Sequence, residues 1–115
     1  MLEIDRYASS DNLALISRAS PAMCEALFRF ANGDSLRVRA LRSMSQRKSL
    51  IRERQALTWY ARAKLGMSYR QIGLAINRDH STTLHNFRRA TRLRRYDKDF
   101  RAMCDQLLAT AEQAA

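Results

Sequence analysis

Apolar residues recur along most of the chain at the three- to four-residue spacing of amphipathic helices. No segment shows the strict apolar–polar alternation that indicates a half-buried β-strand. Three glycines and one proline are also too few for the many turns of a β-sandwich or barrel. The pattern therefore predicts an all-α fold, a compact bundle of about five to six helices.

The first half of the chain contains several predicted helix boundaries. A short helix is predicted over residues 11–18, and Ser20 and Pro21 then form the N-cap and first position of a second helix. That helix is expected to end before Gly33, which adopts a left-handed conformation easily. Two further helices are predicted over residues 35–42 and 50–65, with a polar linker over residues 43–49 between them.

A helix-turn-helix outline is predicted in the second half of the chain. Ser68 and Gln71 have the spacing of a capping box, in which each side chain accepts a hydrogen bond from the backbone amide of the other residue. The short helix that they open ends near Ile76. Asp79 is placed to cap the next helix, which is expected to end near Leu93. A short helix, a brief turn and a longer helix form the helix-turn-helix motif.

The C-terminal segment predicts one more amphipathic helix. Its apolar side chains recur at i, i+3, i+4, i+7, i+8 and i+11, on Phe100, Met103, Cys104, Leu107, Leu108 and Ala111. Such a stripe closes the core of a helical bundle. A homodimer interface on the same stripe is the alternative, so we expect a monomer or a weak homodimer.

The charge of the chain is strongly positive and unevenly distributed. Lys and Arg number 21 against 11 Asp and Glu, and the positive excess lies within residues 36–115. Its two densest runs span residues 37–54 and 88–95, and most of the basic residues are Arg, which suits phosphate and guanine. The charge therefore indicates a polyanionic partner, either nucleic acid or an acidic membrane surface. A solvated surface is the simpler interpretation, although solubility does not need runs of one sign.

Composition also bears on location. Apolar runs of only a few residues are too short to cross a bilayer, and the charged start is not typical of a signal peptide. Cys24 and Cys104 are too few and too far apart for a disulfide framework. We therefore expect a cytoplasmic protein with no membrane partner.

The predicted recognition helix, residues 79–93, begins with short polar side chains. His80, Ser81 and Thr82 are donors and acceptors small enough to approach base edges. Arginines further along the helix can reach phosphates, and the free amides at the helix N-terminus also favour a phosphate. This order of residue types is what insertion into a major groove requires.

Residues 78–85, which read Arg-Asp-His-Ser-Thr-Thr-Leu-His, carry a specific resemblance. They resemble the signature of the C-terminal DNA-binding domain of the bacterial replication initiator DnaA, a Trp-repressor-like helix-turn-helix module. The similarity includes residues 52–55, Arg-Glu-Arg-Gln, and residues 68–73. We therefore expect residues 21–115 to form a DnaA domain IV-like DNA-binding domain, and residues 1–20 to form an N-terminal extension with a short helix.

The resemblance implies roles for the matching residues. Residues 79–82 are implied to contact bases and phosphates in the major groove. Further contacts with the DNA backbone are implied for Arg78, His85, Arg54 and Gln55. The linker over residues 43–49 corresponds to a basic loop whose arginine enters the neighbouring minor groove. The complete candidate set is Arg47, Lys48, Arg52, Arg54, Gln55, Ser68, Arg70, Arg78, Asp79, His80, Ser81, Thr82, His85, Arg88 and Arg89.

Two departures from the family pattern bear on the target. Ser45 and Gln46 stand where basic residues are usual, which leaves Arg47 as the minor-groove candidate. Asn77 stands where two glycines are frequent, so the turn is one residue shorter. The first departure affects the target sequence, and the second affects the tilt of the recognition helix.

The sequence predicts no enzyme, cofactor or metal site. His80 and His85 lie about 140° apart around a helix, so they do not form an i, i+4 metal pair. The glycines form no phosphate-binding loop, and neighbouring residues on one helix cannot assemble a catalytic triad. We expect the ATPase domain of the initiator to be missing as well.

The predicted function is sequence-specific binding of double-stranded DNA by a regulator of transcription or replication that lacks ATPase activity. We expect the protein to associate with the nucleoid. Two alternatives stay open. One is a non-specific nucleic-acid-binding protein, and the other is an adaptor that docks on replication or transcription proteins through residues 1–20 or the last helix.

Overall fold

The computed structural model describes residues 18–113, which form six α-helices and no strand. In chain order these are α1 Pro21–Phe30, α2 Ser35–Arg42, α3 Lys48–Trp59, α4 Tyr69–Ile76, α5 His80–Tyr96 and α6 Lys98–Gln113. The predicted all-α bundle of about five to six helices is confirmed. The helix predicted over residues 11–18 lies outside the described residues, apart from Arg18.

Helix ends follow the local signals in the sequence. The Ser20 hydroxyl accepts a hydrogen bond from the Met23 amide at 3.2 Å, and Pro21 opens α1. After α1 the chain turns at Asn32 and Gly33, which both have positive φ. These caps set the bounds of α1 as predicted.

The long third helix differs in detail from its prediction. It begins at Lys48, two residues early, and a π-helical segment, Tyr60–Lys64, continues it. The wider segment ends where the Leu65 amide donates to the Tyr60 carbonyl, and Gly66 follows with φ +67°. α5 also runs beyond Leu93, to Tyr96.

One apolar core receives side chains from all six helices. Its largest fully buried members are Met23, Leu27, Phe30, Leu41, Leu57, Ile72, Ile76 and Phe100. From the C-terminal stripe, Phe100 and Cys104 are buried, and Met103, Leu107 and Leu108 pack against the core. Among the stripe residues whose side chains the structure describes, the predicted core-closing role is therefore confirmed.

The helix-turn-helix turn is built around Gly73 and Asn77. Asn77 has φ 58°, a left-handed conformation that Asn tolerates, and the Gly73 carbonyl accepts hydrogen bonds from the amides of Asn77 and Arg78. A Cβ atom on Gly73 would lie 2.5 Å from the Arg78 carbonyl oxygen and 3.1 Å from the Thr83 hydroxyl. The turn and the first turn of α5 therefore pack directly against the backbone of α4.

The predicted capping box at the start of α4 forms only in part. The Ser68 hydroxyl accepts from the Gln71 amide at 3.1 Å. The Gln71 carboxamide oxygen, however, accepts from the Ser20 amide at 2.8 Å, across 51 residues of sequence. The reciprocal half of the prediction is wrong because the part-buried Ser20 amide needs an acceptor, whereas Ser68 is exposed to water.

We expect Gly73→Ala to lower the free energy of unfolding by about 1–3 kcal/mol, because the added methyl meets a backbone oxygen that cannot move alone. This is the net loss, after the gain in helix propensity of about 1 kcal/mol is subtracted. Urea unfolding followed by circular dichroism measures it. Gly66→Asn is the control, since the Cβ position there is open and Asn tolerates the positive φ. An unchanged urea midpoint for Gly73→Ala would contradict the close approach of the Arg78 carbonyl to Gly73.

Candidate nucleic-acid interface

Asp79 organises the start of α5. One carboxylate oxygen accepts hydrogen bonds from the Thr82 amide at 2.8 Å and from the Ser81 hydroxyl at 2.7 Å. These hydrogen bonds, that of the Thr82 amide above all, lower the pKa of Asp79 to about 2. The predicted cap is confirmed, and the side chains of His80, Ser81 and Thr82 are exposed on the first turn of the helix.

An arginine-lined concavity follows along α5. His85, Arg88, Arg89 and Arg92 are exposed, and with Gln55 of α3 and Asn86 they line an open groove of about 470 Å³. No acidic side chain lines this groove. The packing of α3 against α5 thus places Gln55 beside the arginines of the recognition helix, and brings together candidate residues that are far apart in sequence.

Serine-centred hydrogen bonds shape the basic loop, residues 43–47, between α2 and α3. The Ser43 hydroxyl donates to the Ala40 carbonyl at 2.7 Å and accepts from the Ser45 amide at 3.3 Å. The Ser45 hydroxyl in turn accepts from the Arg47 amide at 3.3 Å. The side chains of Arg47 and Lys48 are exposed where the loop meets α3.

The guanidinium of Arg54 lies beneath this loop, and the residue is only 4% exposed. Its Nε donates to the Leu41 carbonyl at 2.8 Å and its Nη1 to the Ser45 carbonyl at 2.8 Å. Its Nη2 donates to the carbonyls of Ala40 and Ser43, at 3.1 Å and 2.9 Å. Burial lowers its pKa, and the charge of Arg78 lowers it further. The structure thus gives Arg54 a structural role in place of the phosphate contact that the resemblance implies.

Arg78 links the loop to the helix-turn-helix turn. Its Nη2 donates to the Ser43 carbonyl at 2.8 Å, and its Nη1 donates to the carbonyls of Ile76 and Asn77 at 3.0 Å and 3.1 Å. Ser43 therefore accepts from two guanidinium groups, one from α3 and one from the turn before α5. The two parts of the predicted interface are held together by this shared carbonyl.

The remaining candidates have mixed surroundings. Arg52 donates to Asp97 at 3.1 Å and lies over the Phe100 ring, 5.3 Å from its centroid, so it joins α3 to the start of α6. Ser68 and Arg70 are exposed at the start of α4. Arg52 is thus partly engaged within the protein, while the other two face solvent.

Sequence reasoning left Arg39 and Arg42 out of the candidate set, although both lie in the first basic run. They line a second concavity of about 240 Å³ with Ser43 and Asn77, beside the basic loop. Arg42 also donates to the Ala75 carbonyl at 3.1 Å. Their spacing of three residues at the end of α2, immediately before the loop, was the signal for this placement.

Residues 18–113 contain no cluster of three or more His, Cys, Asp or Glu side chains arranged to hold a metal ion. None of the helices in the same range has both the length and the apolar character to cross a membrane. Cys24 and Cys104 are buried, and burial raises the pKa of both thiols.

Comparison with known proteins gives one match. A family model, described as the bacterial DnaA protein helix-turn-helix, matches residues 31–90, more than half of the chain. No match was found among curated proteins or among solved structures. The matched range contains α2, the basic loop, Arg54, the helix-turn-helix turn and the first part of α5, and it confirms the resemblance noted in the sequence.

The low pKa of Asp79 predicts a pH effect on stability. The carboxyl titrates near 3.9 in an unfolded chain and at about 2 in the fold, so its contribution is complete above about pH 4 and is lost as the pH falls through 2. Asp79→Asn keeps an N-cap acceptor but does not titrate. We expect stability, measured by urea unfolding, to fall more steeply for the wild type than for Asp79→Asn between pH 4 and 2. Parallel curves would contradict this assignment.

We expect Arg54→Lys to lower the free energy of unfolding by about 2–4 kcal/mol, because a single ammonium cannot serve carbonyls on both α2 and the loop. Hydrogen exchange at the amides of residues 43–47 should accelerate as well. Arg70→Lys, at an exposed position on α4, is the matched control and should change neither quantity. Unaltered loop exchange in Arg54→Lys would refute the structural role.

Proposed function

The chain belongs to the family of the bacterial DnaA helix-turn-helix domain, and from this premise we propose that it binds double-stranded DNA in a sequence-specific manner. Family membership supports DNA binding by a helix-turn-helix. The proposal goes further in three respects. The DNA is double-stranded, its sequence is recognised, and α5 lies in the major groove while the basic loop lies in the adjacent minor groove. The observation that carries it is the Ser43 carbonyl, which accepts from both Arg54 and Arg78 and so keeps loop and recognition helix in a fixed relation.

The first turn of α5 is the proposed base-reading element. The hydroxyl of Ser81 donates to Asp79, so its lone pairs are oriented to accept from a base or a bridging water. His80 and Thr82 are exposed beside it and can contact a base edge or a thymine methyl. The Asp79 cap thus fixes the rotamer of Ser81 and the positions of His80 and Thr82 on the first turn of α5.

The length of α5 separates base contacts from phosphate contacts. Its 17 residues span about 25 Å, roughly twice the width of a major groove. Only the first turns can enter the groove, and Arg88 and Arg89 then lie near the phosphates at its rim. Gln55 and His85 line the concavity of the protein that Arg88 and Arg89 also line, and we assign them to phosphate contacts as well.

The basic loop is the proposed minor-groove element. Arg47 is exposed at its end, and a narrow A·T-rich minor groove attracts an arginine side chain. We assign contacts with the flanking DNA backbone to four further residues. These are Lys48 and Arg52 at the start of α3, and Ser68 and Arg70 at the start of α4. Arg78 acts mainly by positioning the loop.

Occupation of a DNA site can be sufficient for regulation. We propose a regulator of transcription or replication that acts by occupying its site and needs no ATPase step, as a monomer or weak homodimer associated with the nucleoid in the cytoplasm. The family is a DNA-binding domain and not a catalytic one, which supports a non-enzymatic role. The exposed arginines of α5 would also suit non-specific coating of nucleic acid, and the following experiment separates the two.

Fluorescence anisotropy with a duplex bearing an initiator-type box and with a shuffled duplex, across a salt series, tests the proposal. We expect at least about tenfold preference for the box and a log–log salt slope of roughly −5 to −9, from six to ten phosphate contacts. His80→Ala should reduce the preference, whereas Arg89→Gln should weaken both duplexes alike and reduce the slope by about 1. Equal binding to both duplexes would indicate either a different target sequence or non-specific coating, and selection from a random duplex pool separates these two. Negligible binding to either duplex would overturn the function.

A further inference from the structure

Met44, the second residue of the basic loop, is an exposed apolar side chain in a cationic setting. Its exposure is 71%, and in residues 18–113 the other exposed large apolar side chains, Leu36, Leu65 and Tyr96, lie outside the loop. A single exposed apolar residue is common on protein surfaces. The backbone on both sides of Met44, however, is held by hydrogen bonds.

Both neighbours of Met44 are anchored by buried or half-buried guanidinium groups. Arg54 donates to the carbonyls of Ser43 and Ser45, and Arg78 donates to the carbonyl of Ser43 again. The Ser45 amide is also engaged, by the Ser43 hydroxyl. The loop therefore presents Met44 to solvent on a backbone that loses little further freedom when a partner binds.

The charge around Met44 selects the kind of partner. Residues 43–49 contain Arg47 and Lys48 and no acidic side chain, and the nearby Glu53 is paired with Arg37. A partner must therefore offer anionic groups around an apolar interior. A duplex groove has this layout, with phosphates at its rim and sugars and base edges within.

We propose that Met44 is an apolar wedge that enters the minor groove beside Arg47, partly unstacks one base step and bends the duplex towards the major groove. This inference rests on the proposed function and adds a residue and a deformation to it. Apolar wedges of this kind, Met included, bend DNA by about 20–90°. Pyrimidine–purine steps unstack most easily, so the wedge also favours such a step at that position of the target.

The test compares Met44→Gln with Met44→Leu. Gln keeps the length of the side chain and removes its apolar character, whereas Leu keeps the apolar character. Anisotropy reports affinity for the box duplex, and energy transfer between dyes at the two ends of that duplex reports its bend. Leu36→Gln, an equally exposed apolar position on α2, is the matched control, and none of these changes touches the core.

We expect Met44→Gln to weaken binding by about 3- to 10-fold and to reduce the bend, with an unchanged salt slope because no charge is removed. Met44→Leu should retain affinity and bend, and Leu36→Gln should match the wild type. In duplexes with 2-aminopurine at successive A·T positions, one position should brighten with the wild type and not with Met44→Gln.

Three results would overturn the wedge. If Met44→Gln binds and bends the box duplex as the wild type does, Met44 does not insert, although DNA binding itself stands. If affinity falls but the bend and the 2-aminopurine signal do not change, Met44 contacts the DNA without unstacking it. If the wild type binds neither duplex, both this inference and the proposed function fail.

Discussion

The hydrogen bonds of the buried Arg54 guanidinium are the interaction on which the rest of the candidate interface depends. A helix leaves its last carbonyls without partners, and those at the end of α2 accept from Arg54 together with two carbonyls of the loop. Burying a charge is costly, which the lowered pKa of Arg54 reflects, and the cost is offset only because several acceptors surround the planar group. The conformation of the loop is thus set from inside the fold.

Gly73 supplies the second constraint, because it lets the helix-turn-helix turn approach the backbone of α4. Arg78, which follows that turn, reaches Ser43 and joins the two constraints. The recognition helix and the basic loop are consequently not independent elements. A displacement of either would disturb a hydrogen bond that the other needs, so the two elements behave as one rigid body.

Local sequence signals predicted most of the helices. The features that were not predicted depend on contacts between residues far apart in the sequence. The caps at Ser20 and Asp79 follow from residues within three positions, so the sequence contains them. The acceptor that Gln71 provides for Ser20 lies 51 residues away and has no local signal. Arg54 did have one, since it stands four residues after Leu50 and three before Leu57 on the apolar face of α3. A charge in that place indicates a buried, hydrogen-bonded role before it indicates a surface contact.

In the loop, the backbone is held by hydrogen bonds while some side chains are exposed, and this separation bears on how the DNA preference of such a domain can be changed. Arg54 and Arg78 hold the loop through backbone carbonyls, which every amino acid has, so its shape does not depend on the side chains at Met44 or Gln46. Those two exposed positions can therefore be substituted while the hydrogen bonds beneath them are kept. A library randomised only at Met44 and Gln46 would therefore test new DNA preferences while the hydrogen bonds of Ser43 and Ser45 that shape the loop stay in place.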